Sequence, residues 1–369
     1  MSAARSGEAA ADSARSNDEP LLSVRNLVKH FPIRSAGLLR RQIGEVHAVC
    51  GVSFDLGKCE TLGLVGESGC GKTTTGRLVL QLVGATSGEV RYAGHLLGTL
   101  TARQLRPLRR DLQIVFQDPF ASLDPRMTIN EIVAEPLRIH GLYRSSGQGQ
   151  ARIAELLRQV RLNPEHGNRY PHEFSGGQRQ RIGIARALAL KPKVLVLDEP
   201  VSALDVSIQA GVINLLSDLQ RELELSYLFI SHDLAVIRHV ADRVAVMYLG
   251  RIVETAAADD LYTRASHPYT QALLSAIPVP DPEKERERSR IVLVGDLPSP
   301  AEPPSGCRFR SRCPKFADRL SELEQKRCAD EVPTLTDRGV GHQVACHYPE
   351  TPGPIRRRAT PGSGPLSCT

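Results

Sequence analysis

The segment Gly66-Glu67-Ser68-Gly69-Cys70-Gly71-Lys72-Thr73 constrains this chain more than any other. It fits G-x-x-x-x-G-K-[ST], a loop whose glycines let backbone N–H groups turn inward around phosphate oxygens. Thr61-Leu62-Gly63-Leu64-Val65 before it predicts a buried strand, and Thr73 to Val83 after it predicts a helix. A strand–loop–helix setting adds the positive end of the helix to the cradle. Gly66 to Thr74 are therefore the nucleotide-cradle candidates. Lys72 is positioned to reach the β- and γ-phosphates, and the Thr73 hydroxyl to meet Mg²⁺. A flexible glycine loop with a chance lysine is the bland alternative, and the flanking runs argue against it.

A chain of 369 residues is long enough for two domains. Its apolar share of 41% and charged share of 24% are those of an ordinary soluble protein. No run approaches the roughly 18 apolar residues of a membrane span. Met1 to Pro20 has no apolar signal-peptide core, so a cytosolic chain is expected, with any membrane role exercised through a partner. The net charge of +6 is mild, Trp is absent, and basic residues are not interleaved with aromatics. Nucleic acid is accordingly not an expected partner.

Residues 1–20 and 351–369 have the composition of disordered tails. From 21 to 260, strand-like and helix-like runs alternate, as in an α/β domain with a mainly parallel sheet. Apolar runs lie at Val46–Phe54, Leu112–Phe116, Val194–Leu197, Tyr227–Ile230 and Val244–Tyr248. The alternation breaks at about 122–175, where Thr128–His140 and Gln150–Arg161 predict a helical subdomain. Val279–Ser289 has the Pro and charge content of a linker, and 290–350 shows four cysteines and few helical signals.

Val194-Leu195-Val196-Leu197 runs into Asp198-Glu199. A continuous apolar run suits a strand buried on both faces, and ligands in such sheets bind beyond the strands' carboxyl ends. Asp198 is thus placed to hold Mg²⁺, and Glu199 to polarise an attacking water. Ser175-Gly176-Gly177-Gln178, ahead of a helical run, offers a second anion cradle. One site has no use for two distant phosphate cradles, so a dimer is expected in which Ser175 to Gln178 close over the partner's nucleotide.

With these motifs the chain resembles the ATP-binding subunit of an ABC transporter. Glu173-Phe174-Ser175-Gly176-Gly177-Gln178 resembles the family's signature, with Phe174 where Leu is usual. Gln117 matches the Q-loop, Ser202-Ala203-Leu204-Asp205 the D-loop and His232 the switch histidine. The resemblance implies a P-loop ABC ATPase fold with a helical subdomain and a small cysteine-containing C-terminal extension. It implies that Gln117 senses Mg²⁺ and water, His232 holds the γ-phosphate, and Asp205 couples two sites. Phe31 is the best match for the aromatic that stacks on adenine, with Arg34 to Glu45 resembling an insertion after it.

Asp118-Pro119-Phe120-Ala121-Ser122-Leu123-Asp124-Pro125 and His267-Pro268-Tyr269 resemble segments of the oligopeptide/dipeptide importer group. That group implies two permease subunits, a second and different ATPase chain, an extracytoplasmic substrate-binding protein, and residence at the cytoplasmic face of the membrane. Importers of nickel or glutathione, an exporter subunit, and a soluble ABC ATPase are the rival readings. Residues 261–350 correspond to the group's extension. Its Cys307, Cys313, Cys328 and Cys346 are separated by 5, 14 and 17 residues. Four thiolates can hold a tetrahedral metal or a cluster, or simply pack as reduced thiols. Resemblance to the group implies a [4Fe–4S] cluster, in a module expected to lie outside the ATPase motifs. Cys50, Cys59 and Cys70 are expected to be ordinary core or loop thiols.

Overall fold

The computed structural model describes residues 19–35, 41–143, 147–278, 290–339 and 341–350. The tails expected at 1–20 and 351–369 lie almost wholly outside these residues, and the linker expected at Val279–Ser289 lies wholly outside.

Two sheets face each other across a shared core. The smaller is antiparallel, in the order β2 (Gln42–Leu56), β1 (Leu22–Arg34), β4 (Ser87–Tyr92), β5 (His95–Leu96). The larger sheet runs β11 (Thr336–Asp337), β12 (Gln343–Val344), β10 (Arg251–Ala257), β9 (Arg243–Tyr248), β3 (Thr61–Val65), β8 (Ser226–Ser231), β7 (Val194–Asp198), β6 (Leu112–Val115). From β9 to β6 its strands are parallel, while β10, β12 and β11 join antiparallel.

The continuous apolar runs are explained by burial on both faces. In β7, Val194 and Val196 pack into the core shared with the small sheet, while Leu195 and Leu197 pack into the core toward the helices. β3 divides likewise, with Leu62 and Leu64 on one side and Val65 on the other. Strands that are wet on neither face have no reason to alternate polar residues.

Within 122–175 lie helices Ile129–Ile139 and Gln148–Gln159, whose buried residues share one core. Thr128 and Glu131 close the first with a reciprocal capping box. Phe174 is buried in the same core, against His166, so the larger ring at the signature's Leu position is absorbed by packing.

Of the expected insertion Arg34 to Glu45, the described ends pair as parts of β1 and β2, with Arg34 opposite Gln42 and Pro32 opposite Glu45, so they lengthen a hairpin; residues 36–40 lie outside the described residues. The extension also holds more helix than expected: Pro314–Asp318 and Glu322–Asp330, the latter with a Ser321/Glu324 capping box.

Nor is the extension a separate body. Gln343–Val344 pairs with β10 at the sheet edge. His342 Nε2 lies 2.7 Å from the carboxylate of Glu254, which is fully buried. Glu254 also accepts from the amides of Ser266 and His267 at 2.7 and 3.2 Å, so one buried carboxylate ties three segments together.

Candidate functional site

The candidate residues gather at the carboxyl ends of adjacent parallel strands. The P-loop follows β3, Asp198 ends β7, Gln117 follows β6 and His232 follows β8. A cavity of about 330 Å³ opens there, lined by Ser68, Gly69, Gly71, Lys72, Thr73 and Thr74 on one side and by Gln117 and Glu199 on another. Phe31, Val46 and Ala48 of the β1–β2 hairpin form a third wall, with Pro300 of the extension beside them. Phe31 is partly exposed, and Lys29 Nζ lies 5.0 Å from its ring centre.

The loop's glycines have specific reasons. Gly71 has φ +106°, and a Cβ on it would meet the Ala48 carbonyl oxygen at 2.2 Å. A Cβ on Gly66 would meet the Met247 carbonyl oxygen at 2.1 Å. The loop therefore lies flat against β2 and β9, leaving its other side to the cavity. Gly66, Glu67 and Cys70 do not line that cavity. The Glu67 carboxylate turns away toward the extension, and the Cys70 thiol is buried, which pushes its pKa up.

Lys72 is only 4% exposed, and its Nζ donates to the carbonyls of Gly66 at 2.7 Å and Glu67 at 2.9 Å. A buried ammonium needs such partners, and phosphate oxygens can take their place. Thr73 Oγ1 donates to Asp198 Oδ1 at 2.8 Å. Burial raises the Asp198 carboxyl above the usual range, partly offset by the Thr73 hydrogen bond and by Arg77 and Lys72. A hydroxyl and a buried carboxylate converging beside a phosphate cradle are a donor set that suits Mg²⁺.

Glu199 leaves β7 with φ +46°, a left-handed conformation that side chains rarely adopt, and its amide is pinned to the Ile230 carbonyl at 3.0 Å. That kink aims the carboxylate across the strand ends. Its Oε2 accepts from Gln117 Nε2 at 2.9 Å and lies 3.2 Å from His232 Nδ1. The three residues come from three separate strand ends and meet at one oxygen.

The second cradle lies elsewhere on the chain. Ser175 caps helix Gly176–Leu188 in a capping box with Gln178. A Cβ on Gly177 would meet Ile208 at 2.3 Å, so this turn lies tight against the helix Val206–Leu223 that begins after Asp205. Ser175, Gly176, Gly177, Gln178 and Asp205 do not line the cavity at the P-loop. Ser175 and Asp205 face solvent.

The four cysteines line a pocket separate from the nucleotide cavity, but neighbouring residues of the extension reach the P-loop. Arg312 Nη1 lies 2.8 Å from Glu67 Oε2, and the Tyr269 hydroxyl accepts from the Glu67 amide at 2.9 Å. Arg308 donates to the Leu249 carbonyl, and the His47 amide donates to the Pro300 carbonyl at 2.8 Å. Tyr248, Tyr269 and Phe309 pack with ring centres 4.7–5.5 Å apart and join the extension to the end of β9. His-Pro-Tyr was visible in the sequence as a segment likeness. Nothing local marked Arg312 or Pro300, because both reach the loop only through the fold.

The four cysteines come together, lining one small apolar pocket with Phe309 and Phe316. Burial, with mutual repulsion among the sulfurs, pushes Cys307 up to about 11 and Cys346 up to about 12. Such thiols hold their protons unless a cation replaces them.

A phosphate cradle and a carboxylate aimed beside it, on a cassette with a helical arm, define a nucleotide-hydrolysing ABC-type ATPase. Residues 49–202 match the family described as ABC transporter, and residues 253–319 match the C-terminal region of the oligopeptide/dipeptide transporter family. The chain is 52% identical to the oligopeptide transport ATP-binding protein AppF of Bacillus subtilis over 90% of its length and 98% of the relative's. It is 55% identical to a putative peptide import ATP-binding protein of Brucella ovis, covering 89% and 98% of the two chains. Among solved structures it resembles the dimeric ATP-binding cassette MJ0796 bound to ADP and Pi, with TM-score 0.56 and 28% identity over 64% of this chain and 98% of that one. The chain belongs to the ATP-binding subunits of ABC transporters, ATPases coupled to transport, and within them to the oligopeptide/dipeptide group. Among the described residues no helix is long and apolar enough to cross a membrane.

Proposed function

We propose that this chain hydrolyses ATP to power import of oligopeptides or dipeptides, from the cytoplasmic face of the membrane. The observation that carries this is the oligopeptide-type extension built directly onto the P-loop through Arg312 and Tyr269. Most of the relatives' names favour peptides over nickel or glutathione as cargo. Two permease subunits and an extracytoplasmic binding protein complete the assembly.

The cradle binds phosphate through its backbone N–H groups, and Lys72 exchanges its two carbonyl partners for β- and γ-phosphate oxygens. Thr73 and Asp198 hold Mg²⁺, with Gln117 at its edge; the ion neutralises phosphate charge. Phe31 stacks on the adenine. Glu199 accepts a hydrogen bond from the attacking water and orients it, while His232 donates toward the γ-phosphate. This is catalysis by positioning and charge stabilisation. Ser175 to Gln178 stand away from the chain's own cradle, which supports their closing over the nucleotide of a second ATPase subunit, with Asp205 coupling the two sites. A different chain as that second subunit is the arrangement we favour.

We also assign Cys307, Cys313, Cys328 and Cys346 to one [4Fe–4S] cluster with a structural role. The pocket that all four line together supports it. A zinc ion, or four reduced thiols packed together, is the alternative occupant of the same four ligands.

The functional test is reconstitution of the full chain with its permeases and partner ATPase in liposomes. Peptide-loaded binding protein is expected to stimulate ATP hydrolysis and peptide uptake together. Stimulation by nickel-loaded or glutathione-loaded binding protein instead would reassign the cargo. Hydrolysis indifferent to every loaded binding protein would reject import.

A further inference from the structure

Away from the nucleotide cavity, a second group of side chains is arranged for chemistry that the ATPase does not use. His30 of β1 and His47 of β2 are direct cross-strand partners. His47 Nδ1 lies 3.2 Å from His30 Nε2, and Cys50 Sγ lies 3.7 Å from the same nitrogen. All three ligand atoms fall within 4.8 Å of one another. They sit in the wall of a cavity of about 750 Å³ between the β1–β2 hairpin and the C-terminal extension.

We propose that His30, His47 and Cys50 form a binding site for a zinc-class divalent ion. Two of the three ligand spacings match a tetrahedral centre, and the third, His47 Nδ1 to Cys50 Sγ, is within 4.8 Å. Zn–N bonds of about 2.05 Å and a Zn–S bond of about 2.3 Å put two nitrogens about 3.3 Å apart and nitrogen and sulfur about 3.6 Å apart. The observed separations are 3.2 and 3.7 Å. Two imidazoles and one thiolate are borderline-soft donors, which favour zinc over magnesium or calcium.

The surroundings fit as well. Glu45 Oε2 lies 3.3 Å from His30 Nδ1, the ring nitrogen that faces away from the cluster. A carboxylate there holds the proton on Nδ1 and leaves the Nε2 lone pair for the ion, as in carboxylate–histidine–zinc arrangements. The fourth position opens to the cavity, where water can enter. One thiolate and the Glu45 carboxylate cancel the ion's two charges. Arg251 and Arg308, which also line the cavity, then face a neutral centre. Phe31 and Val46, the residues next to His30 and His47, line the nucleotide cavity. An ion clamping the two strands would therefore stiffen the wall against which the nucleotide base is proposed to stack.

The test uses the full chain, stripped with a chelator and kept reduced, titrated with Zn²⁺ and with Co²⁺ as the spectroscopic probe. X-ray absorption of the zinc-loaded wild type is expected to show a centre with two nitrogens and one sulfur, distinct from any all-sulfur centre at the four distal cysteines. Cys50→Ser and His47→Gln should each lose one equivalent of tight binding, and Glu45→Gln should weaken it roughly tenfold. Circular dichroism and thermal melting report that the variants remain folded. If a variant fails to fold, the wild-type absorption spectrum still decides. All-sulfur or all-oxygen ligation in the wild type, or unchanged stoichiometry and affinity in Cys50→Ser, would overturn the site.

Discussion

Arg312 Nη1 and Glu67 Oε2 lie 2.8 Å apart, an ion pair between the four-cysteine extension and the second residue of the P-loop, 245 positions away in sequence. Arg312 is 10% exposed and Glu67 26%, so the pair is sheltered more than an ordinary surface bridge. Arg312 also lies in the sequence between Cys307 and Cys313, which makes the extension a brace for the nucleotide loop.

Arg312→Ala is therefore expected to lower ATP affinity of the isolated chain. A loss of about 1 kcal/mol, or roughly fivefold, is the scale of one such hydrogen-bonded pair. Equilibrium nucleotide binding measures it. An unchanged affinity would mean that the loop keeps its shape without the brace.

Glu199→Gln should retain ATP and trap a closed dimer. Loss of a water-orienting carboxylate lowers turnover by about 10²–10⁴-fold while phosphate contacts remain. Near-normal hydrolysis by the assembled mutant transporter would remove Glu199 from its proposed role.

Lys72→Ala and Ser175→Ala should separate binding in cis from closure in trans. The first deletes the cation facing the phosphates and should weaken ATP binding by the isolated chain. The second should leave that binding intact and diminish dimer closure and transport. Equal losses of isolated-chain binding would contradict the cross-dimer reading.

Acid should loosen the extension through His267. Burial lowers its pKa from 6.5 to about 4, partly opposed by Glu254, and its Nδ1 must accept from the Tyr269 amide at 3.1 Å. The native ring is thus neutral where the unfolded one takes a proton. Its stabilising contribution is complete above pH 6.5 and is lost as pH falls toward 4, roughly 3 kcal/mol in all. Thermal melts across that window should show the loss, and His267→Asn, which keeps a capping acceptor without titrating, should flatten it.

Anaerobic purification should give a brown protein with iron and sulfide in near-equal amounts. One equivalent of zinc bound by the four cysteines, without sulfide, would keep the ligands and reject the cluster. No metal at that module would leave four packed, protonated thiols.

The cassette was legible in the sequence because its motifs are local. Gly66 to Thr73 needs only backbone freedom, one cation and one hydroxyl in fixed order, and Val194 to Leu197 declares a twice-buried strand by its composition alone. The strand-end position of Glu199, and the segment likeness of Gln117 and His232, suggested roles before any geometry. Tertiary structure alone decided how they meet: one carboxylate oxygen shared between Gln117 and His232 requires three strand ends to lie side by side, with Glu199 in a left-handed kink. It alone joined Arg312 to Glu67, and His30 to His47 and Cys50. Charge and metal-ligand chemistry act through space over a few ångströms, and sequence records neighbours along the chain, so contacts made by a docked extension or a paired hairpin leave no local pattern to read.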